Sequence, residues 1–158
     1  MSSSTDLSLP KLAAAALLAA GIAAAGPAAA EDAAIYTDMW GVAIEGHDPV
    51  SYFAPDGPQK GRRAHEMQWR GATWRFATEE NLVLFASMPD VYAPAYGGYG
   101  ALALAEGALE PSDPERWRLL DGRLYLLSSE AAAARWEREH LDLAPRAHAH
   151  WRRFVSNP

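Results

Sequence analysis

The chain has 158 residues and not one cysteine. That absence excludes a disulfide framework, a cysteine-ligated zinc site, a thiol nucleophile and a lipidated-cysteine anchor. A hydrophobic run of membrane-spanning length is also missing. The apolar run Leu12–Ala25 is about fourteen residues, against the roughly twenty a span needs. Positive charge is scarce: the formal net charge is −6. Arginine and lysine are dispersed apart from Arg62-Arg63 and Arg152-Arg153, so no nucleic-acid partner is expected. The phosphate loop G-x-x-x-x-G-K-[ST], the zinc-protease H-E-x-x-H, the hydrolase G-x-S-x-G and the EF-hand loop are all missing.

What is there begins with an address. Lys11 precedes the apolar run, and Ala28-Ala29-Ala30 precedes Glu31. This is the layout of a Sec-type signal peptide over residues 1–30, with cleavage predicted after Ala30. The mature protein is then periplasmic or secreted, with no stable membrane span once the leader is removed; an uncleaved N-terminal anchor is the alternative. Loss of one Lys and one Asp leaves the net charge at −6. Residues 31–40 form a lead-in of low pattern. Residues 41–155 suit one domain, whose core draws on six Trp, six Tyr and four Phe rather than on cross-links.

The pattern along that domain predicts an α+β fold, with small antiparallel hairpins and helices packed on one side. Alternation at Val42 and Ile44 predicts a short strand, and Gly46–Pro49 a turn in which Asp48 caps with its side chain. Pro and Gly make 54–63 a loop. Met67 and Trp69, then Trp74 and Phe76, share strand faces around Gly71 and predict a hairpin. Thr78 reads as the N-cap of a helix that Pro89 ends. The alternating Ala101–Glu106 stretch predicts a strand, and 107–114 a loop. Asp121-Gly122 marks a second hairpin between 117–120 and 123–127. Ser128-Ser129 offer N-caps to a helix over 130–140, and Asp142 to a last helix through Val155. The order hairpin–helix thus occurs twice, with no residue-level repeat.

Met88–Gly100, MPDVYAPAYGGYG, joins the two halves. Its prolines bar regular helix and its glycines permit tight backbone. Tyr92, Tyr96 and Tyr99 offer rings to a flat ligand, or else lock the loop as core and corner residues. Gly97-Gly98-Tyr99-Gly100 fits no phosphate-loop spacing. The metal-competent groups are His47 beside Asp48, His65 at the foot of the first hairpin, and the thioethers of Met67 and Met88. Equally, His47 fits a satisfied turn residue and the methionines fit gap-fillers. His148 and His150 lie two apart, so on a helix they diverge by about 200° and take separate places. His47-Asp48 with Ser51 holds parts of a nucleophile–base set, but triads are assembled in space rather than by adjacency.

Gly46–Phe53 (GHDPVSYF), Trp69–Phe76 (WRGATWRF), Asn81 with Phe85, and Met88–Gly98 stand in an order and spacing that resembles the YHS domain. The match is closest to the longer exported bacterial YHS-domain proteins, through Trp117, Asp121-Gly122, Leu124–Leu126, Trp136 and Ala147–Trp151. The resemblance implies a small treble-clef-like α+β core and a role in heavy-metal binding, with copper or zinc as the ion. Where that family commonly carries Cys after Gly-Gly-Tyr this chain has Gly100, so no thiolate can contribute. His47, His148 and His150 replace other family residues. The expectation is a non-enzymatic exported protein that binds a transition metal through His47, with His65 and Met88. The alternative is a protein-interaction or small-ligand module using Tyr92, Tyr96 and Tyr99, with a periplasmic protein as partner. The oligomeric state is left open.

Overall fold

The computed structural model describes residues 35–156; the expected leader and the start of the lead-in lie outside them. Within them the chain is mixed helix and antiparallel hairpin, an α+β arrangement. The first hairpin pairs β1 (Arg62–Trp69) with β2 (Ala72–Phe76), and α1 (Glu79–Ser87) and α2 (Pro89–Tyr92) follow. After the short α3 (Ala101–Ala105), a second hairpin pairs β3 (Asp113–Leu120) with β4 (Arg123–Leu127) and runs into α4 (Glu130–Ser156).

Both hairpins close through two residues in left-handed conformation, Arg70-Gly71 and Asp121-Gly122. Such turns match the right-handed twist of the strands they join. Both helices start on the predicted hydroxyls. The Thr78 side chain accepts from the Asn81 N–H at 3.2 Å, and Ser129 accepts from Ala132 at 3.1 Å. Each satisfies a donor that the first helical turn leaves free.

Four expectations fail. Ala101–Ala105 is a helix, not a strand. Alanine and leucine both favour helix, and alternation in so short a run did not discriminate. Val42 and Ile44 do not form a regular strand. Val42 makes a single parallel bridge to Thr73, and the chain then coils through Ile44–Gly46. The two predicted terminal helices are one, with Pro145 inside it. Proline removes an intrahelical bond and costs about 3 kcal/mol in a helix interior. Here Trp136 and Leu143 before Pro145 and Ala147 after it are buried in the same cluster, which offsets that cost. Finally, β3 begins at Asp113, inside the predicted loop.

The twice-occurring hairpin–helix order is a repeat of backbone geometry, although the residues themselves do not repeat. A shift of 51 carries Arg62 onto Asp113, Glu66 onto Trp117 and Trp69 onto Leu120, and the register irregularity falls at the same place in both hairpins. The same shift carries Thr78 onto Ser129 and buried Phe85 onto buried Trp136. A shift of 52 carries the coil Ile44–Gly46 onto Tyr96–Gly98. The closing bond from the His47 N–H to Ile44 (3.0 Å) becomes that from Tyr99 to Tyr96 (3.1 Å), and Asp48 to Gln59 (2.8 Å) becomes Gly100 to Glu110 (3.0 Å). The first unit therefore has one more residue between coil and hairpin. Over 62–85 against 113–136 the only identities are Gly71 with Gly122 and Glu79 with Glu130, which hid the repeat from the sequence.

The two coils are left-handed turns. Ile44, Glu45 and Gly46 have φ of 42°, 50° and 75°; Tyr96, Gly97 and Gly98 have 57°, 63° and 88°. Each non-glycine residue in that region costs about 1–2 kcal/mol. The two turns pack on each other: a Cβ on Gly98 would lie 3.3 Å from Ile44 Cγ2. The buried residues form two clusters, the first of which also takes in Leu124 and Leu126 of β4. Trp74, Phe76 and Phe85 centre the first, and Leu104, Leu127 and Trp136 the second.

Candidate functional site

Histidine 47 lies directly after the first left-handed turn and is only 5 % exposed. Its Nδ1 sits 3.1 Å from the Ile44 carbonyl and 3.3 Å from Lys60 Nζ. Burial holds its pKa below the ordinary 6.5, and the Lys60 charge adds to this, against a hydrogen bond to Ile44 that works the other way. A neutral imidazole is what a metal needs, but the nearest side-chain charge is a cation. His65 is half-buried on β1, beside Glu80. Met88 caps the end of α1 and is 46 % exposed. Among the described residues no three His, Asp or Glu side chains stand where they could share a metal ion.

Asp48 was expected to cap a turn, and does: its Oδ1 accepts from the Val50 N–H at 2.8 Å. Sequence did not reveal that it is fully buried and also joins distant elements. Oδ2 accepts from the Ala77 N–H at 2.8 Å and from Asn81 Nδ2 at 2.6 Å. The carboxylate thus ties the first turn to the end of β2 and the start of α1. Ser51 belongs to the same knot. Its hydroxyl donates to the Asp48 carbonyl at 2.7 Å and accepts from the Gln59 N–H at 2.8 Å. That use of the hydroxyl is structural and leaves the sequence set His47-Asp48-Ser51 without a nucleophile–base contact.

The three loop tyrosines do not act together. Tyr92 packs edge-on against Phe53, with ring centroids 5.2 Å apart. Tyr99 lies between Tyr36 at 5.4 Å and Trp151 at 6.2 Å. Tyr96 faces Tyr125 at 6.1 Å and Trp151 at 6.2 Å. Its hydroxyl reaches the Ala144 carbonyl at 3.4 Å, and burial raises its pKa far above neutrality, so it stays a phenol.

Two hollows meet at Tyr96. A narrow one of about 70 Å³ is lined by Trp69, Arg70, Asp90, Arg123 and Trp151 as well. An open cleft of about 510 Å³ lies over Tyr96, Arg123, Tyr125, Leu141 and Pro145, with Asp121, His140 and His148 around it. The larger is of a size that takes a small molecule. Their charges are unequal. Arg70 pairs with Asp90 at 3.1 Å, and His140 faces Asp121 at 3.6 Å. Arg123, which lines both hollows, pairs with no carboxylate among the described residues. The cleft sets the Tyr96 and Tyr125 rings and the Leu141–Pro145 face beside the Arg123 guanidinium, with the His140–Asp121 pair and His148 at its edge.

Gly97-Gly98-Tyr99-Gly100 is followed by a helix after all, but α3 has only five residues, and the Gly100 N–H is bonded to the Glu110 carbonyl at 3.0 Å. His150, by contrast with exposed His148, is half-buried and bonded to the Leu104 carbonyl at 2.8 Å. Arg123, Tyr125 and Trp151 were not singled out as ligand residues from sequence. They lie 27 to 55 residues from Tyr96 along the chain, and only the second hairpin and the end of α4 bring them to it. No family model, curated protein or solved structure matches the chain.

Proposed function

We propose that the protein is an exported, non-enzymatic binding module of YHS type. Its ligand is a small molecule with a flat apolar body and one anionic group, held in the cleft beside the second left-handed turn. The treble-clef-like core implied by the family resemblance is the turn–hairpin–helix unit. The observation that carries the functional reading is Tyr96 itself: a bulky residue at φ 57°, buried, forming a wall of both hollows. Left-handed bulky residues persist only where their surroundings hold them, and they gather at ligand sites. Arg123 supplies the charge preference, since a guanidinium binds carboxylates in a two-pronged geometry. Tyr125 and the Leu141–Pro145 face of α4 supply the apolar surface.

Calorimetric titration with benzoate and with its neutral counterpart benzyl alcohol tests this. Benzoate is expected to bind near the millimolar range, about 4 kcal/mol, and at least ~10-fold more tightly than the alcohol. Arg123→Gln removes that preference. Equal binding of acid and alcohol, or a preference that survives Arg123→Gln, contradicts the proposal.

A further inference from the structure

The repeat supplies an internal control for the surface of α1. Val83, Leu84 and Met88 in the first unit correspond to Ala134, Arg135 and Glu139 in the second. The second unit shows what this helix face looks like when it meets water. Arg135 pairs with Glu106 at 2.7 Å and with Glu139 at 3.1 Å. In the first unit the same positions are apolar and bare. Val83 is 58 % exposed, Leu84 40 % and Met88 46 %, and Val91 on α2 continues the patch at 49 %. Of α1 only Phe85 is fully buried, with Leu82 packed partly against the same core, whereas Val83, Leu84 and Met88 serve no core. A helix that is apolar on its outward face is a docking surface rather than a solvated one.

Charge says what docks there. Glu79 and Val83, and Glu80 and Leu84, are neighbours one helical turn apart. Asp90 adjoins Val91 at the far end. No Lys or Arg occurs anywhere in 77–95. The patch is therefore an apolar strip with two carboxylates, Glu79 and Glu80, at its N-terminal end, while Asp90 at the far end is held by Arg70 at 3.1 Å. We propose that the α1–α2 face binds a cationic amphipathic helix of a partner protein. Leucine-type side chains would lie on Leu84, Met88 and Val91, with lysines or arginines against Glu79 and Glu80. This is helix-in-groove recognition read from the receptor side. It involves neither the Tyr96 cleft nor its ligand.

The test uses the whole mature chain and a synthetic peptide of about eighteen residues, five turns, made of leucine and lysine in helical pattern. Two controls accompany it: the same residues scrambled, and the same pattern with glutamate for lysine. Binding is followed by fluorescence anisotropy of the labelled peptide. The proposal expects the patterned cationic peptide to bind at least ~10-fold more tightly than either control. The double variant Leu84→Gln, Val91→Gln keeps the net charge and is expected to lose that margin, and Glu79→Gln with Glu80→Gln to weaken it. Far-UV circular dichroism confirms that both variants stay folded. Equal binding of patterned and scrambled peptides overturns the proposal, as does undiminished binding to the Leu84, Val91 variant. Self-association in sedimentation that the same variant abolishes would assign the face to a second copy and overturn it too.

Discussion

Asp48 fixes more of the first unit than any other polar residue. Its two oxygens accept three hydrogen bonds from groups that come after it by 2, 29 and 33 positions, and no cation is among them. Asp48→Asn keeps the shape but turns one acceptor into a donor facing the Ala77 N–H and the Asn81 amide. Hydrogen bonds to a charged acceptor contribute about 1.5–3 kcal/mol, so the variant is expected to lose on the order of 2–3 kcal/mol in urea unfolding. A loss near zero would mean that the knot does not hold the turn. The capping role was legible from Gly-His-Asp-Pro; the reach to Asn81 was not, because nothing local links positions so far apart. His47 gives a second residue-scale prediction. Burial lowers its folded pKa below 6.5, so the unfolded chain takes up a proton more readily. Its contribution to stability is complete above about pH 6.5 and is lost as pH falls through the folded pKa. His47→Gln should flatten the pH dependence of stability below about pH 6.5; an unchanged slope would contradict the burial argument.

At the scale of elements, the structure rests on two left-handed turns packed back to back. Gly98 combines a φ of 88° with a close approach to Ile44, where a Cβ would sit 3.3 Å from Cγ2. Gly100, two residues on, has an ordinary φ of −61°, and a Cβ there would meet nothing closer than 3.5 Å. Gly98→Ala is therefore expected to cost about 1–2 kcal/mol or more, while Gly100→Ala costs well under that. Equal melting temperatures for the two variants would remove the argument. The hairpins and helix starts were legible because their signals are local: glycine at a tight turn, a hydroxyl before two glutamates or a run of alanines. The turns at Ile44 and Tyr96 were not. Isoleucine and tyrosine favour extended backbone, and only tertiary packing forces them to positive φ. The break expected at Asp142 failed for the same reason, since the burial that holds α4 together as one helix comes from α3.

At the scale of the molecule, two equivalent units have diverged in what they show to water. The first presents an apolar helix face; the second is longer, charged on that face, and folds its last turns over Tyr96. Only two of the twenty-four aligned positions agree, so backbone geometry, not sequence, carries the repeat. The Tyr/Gly loop could be located from sequence as the joint, but its cleft could not be read. Tyr96 lay in plain view, whereas Arg123 and Tyr125 looked like ordinary strand residues beside Asp121-Gly122. The most direct test of the binding account is amide chemical-shift mapping of the mature chain titrated with benzoate. The account predicts saturable shifts at Tyr96, Gly97, Arg123, Tyr125 and Ala144, and none around His47 or His65. Shifts centred on His47 and His65, or no saturable shift at the cleft, would contradict it.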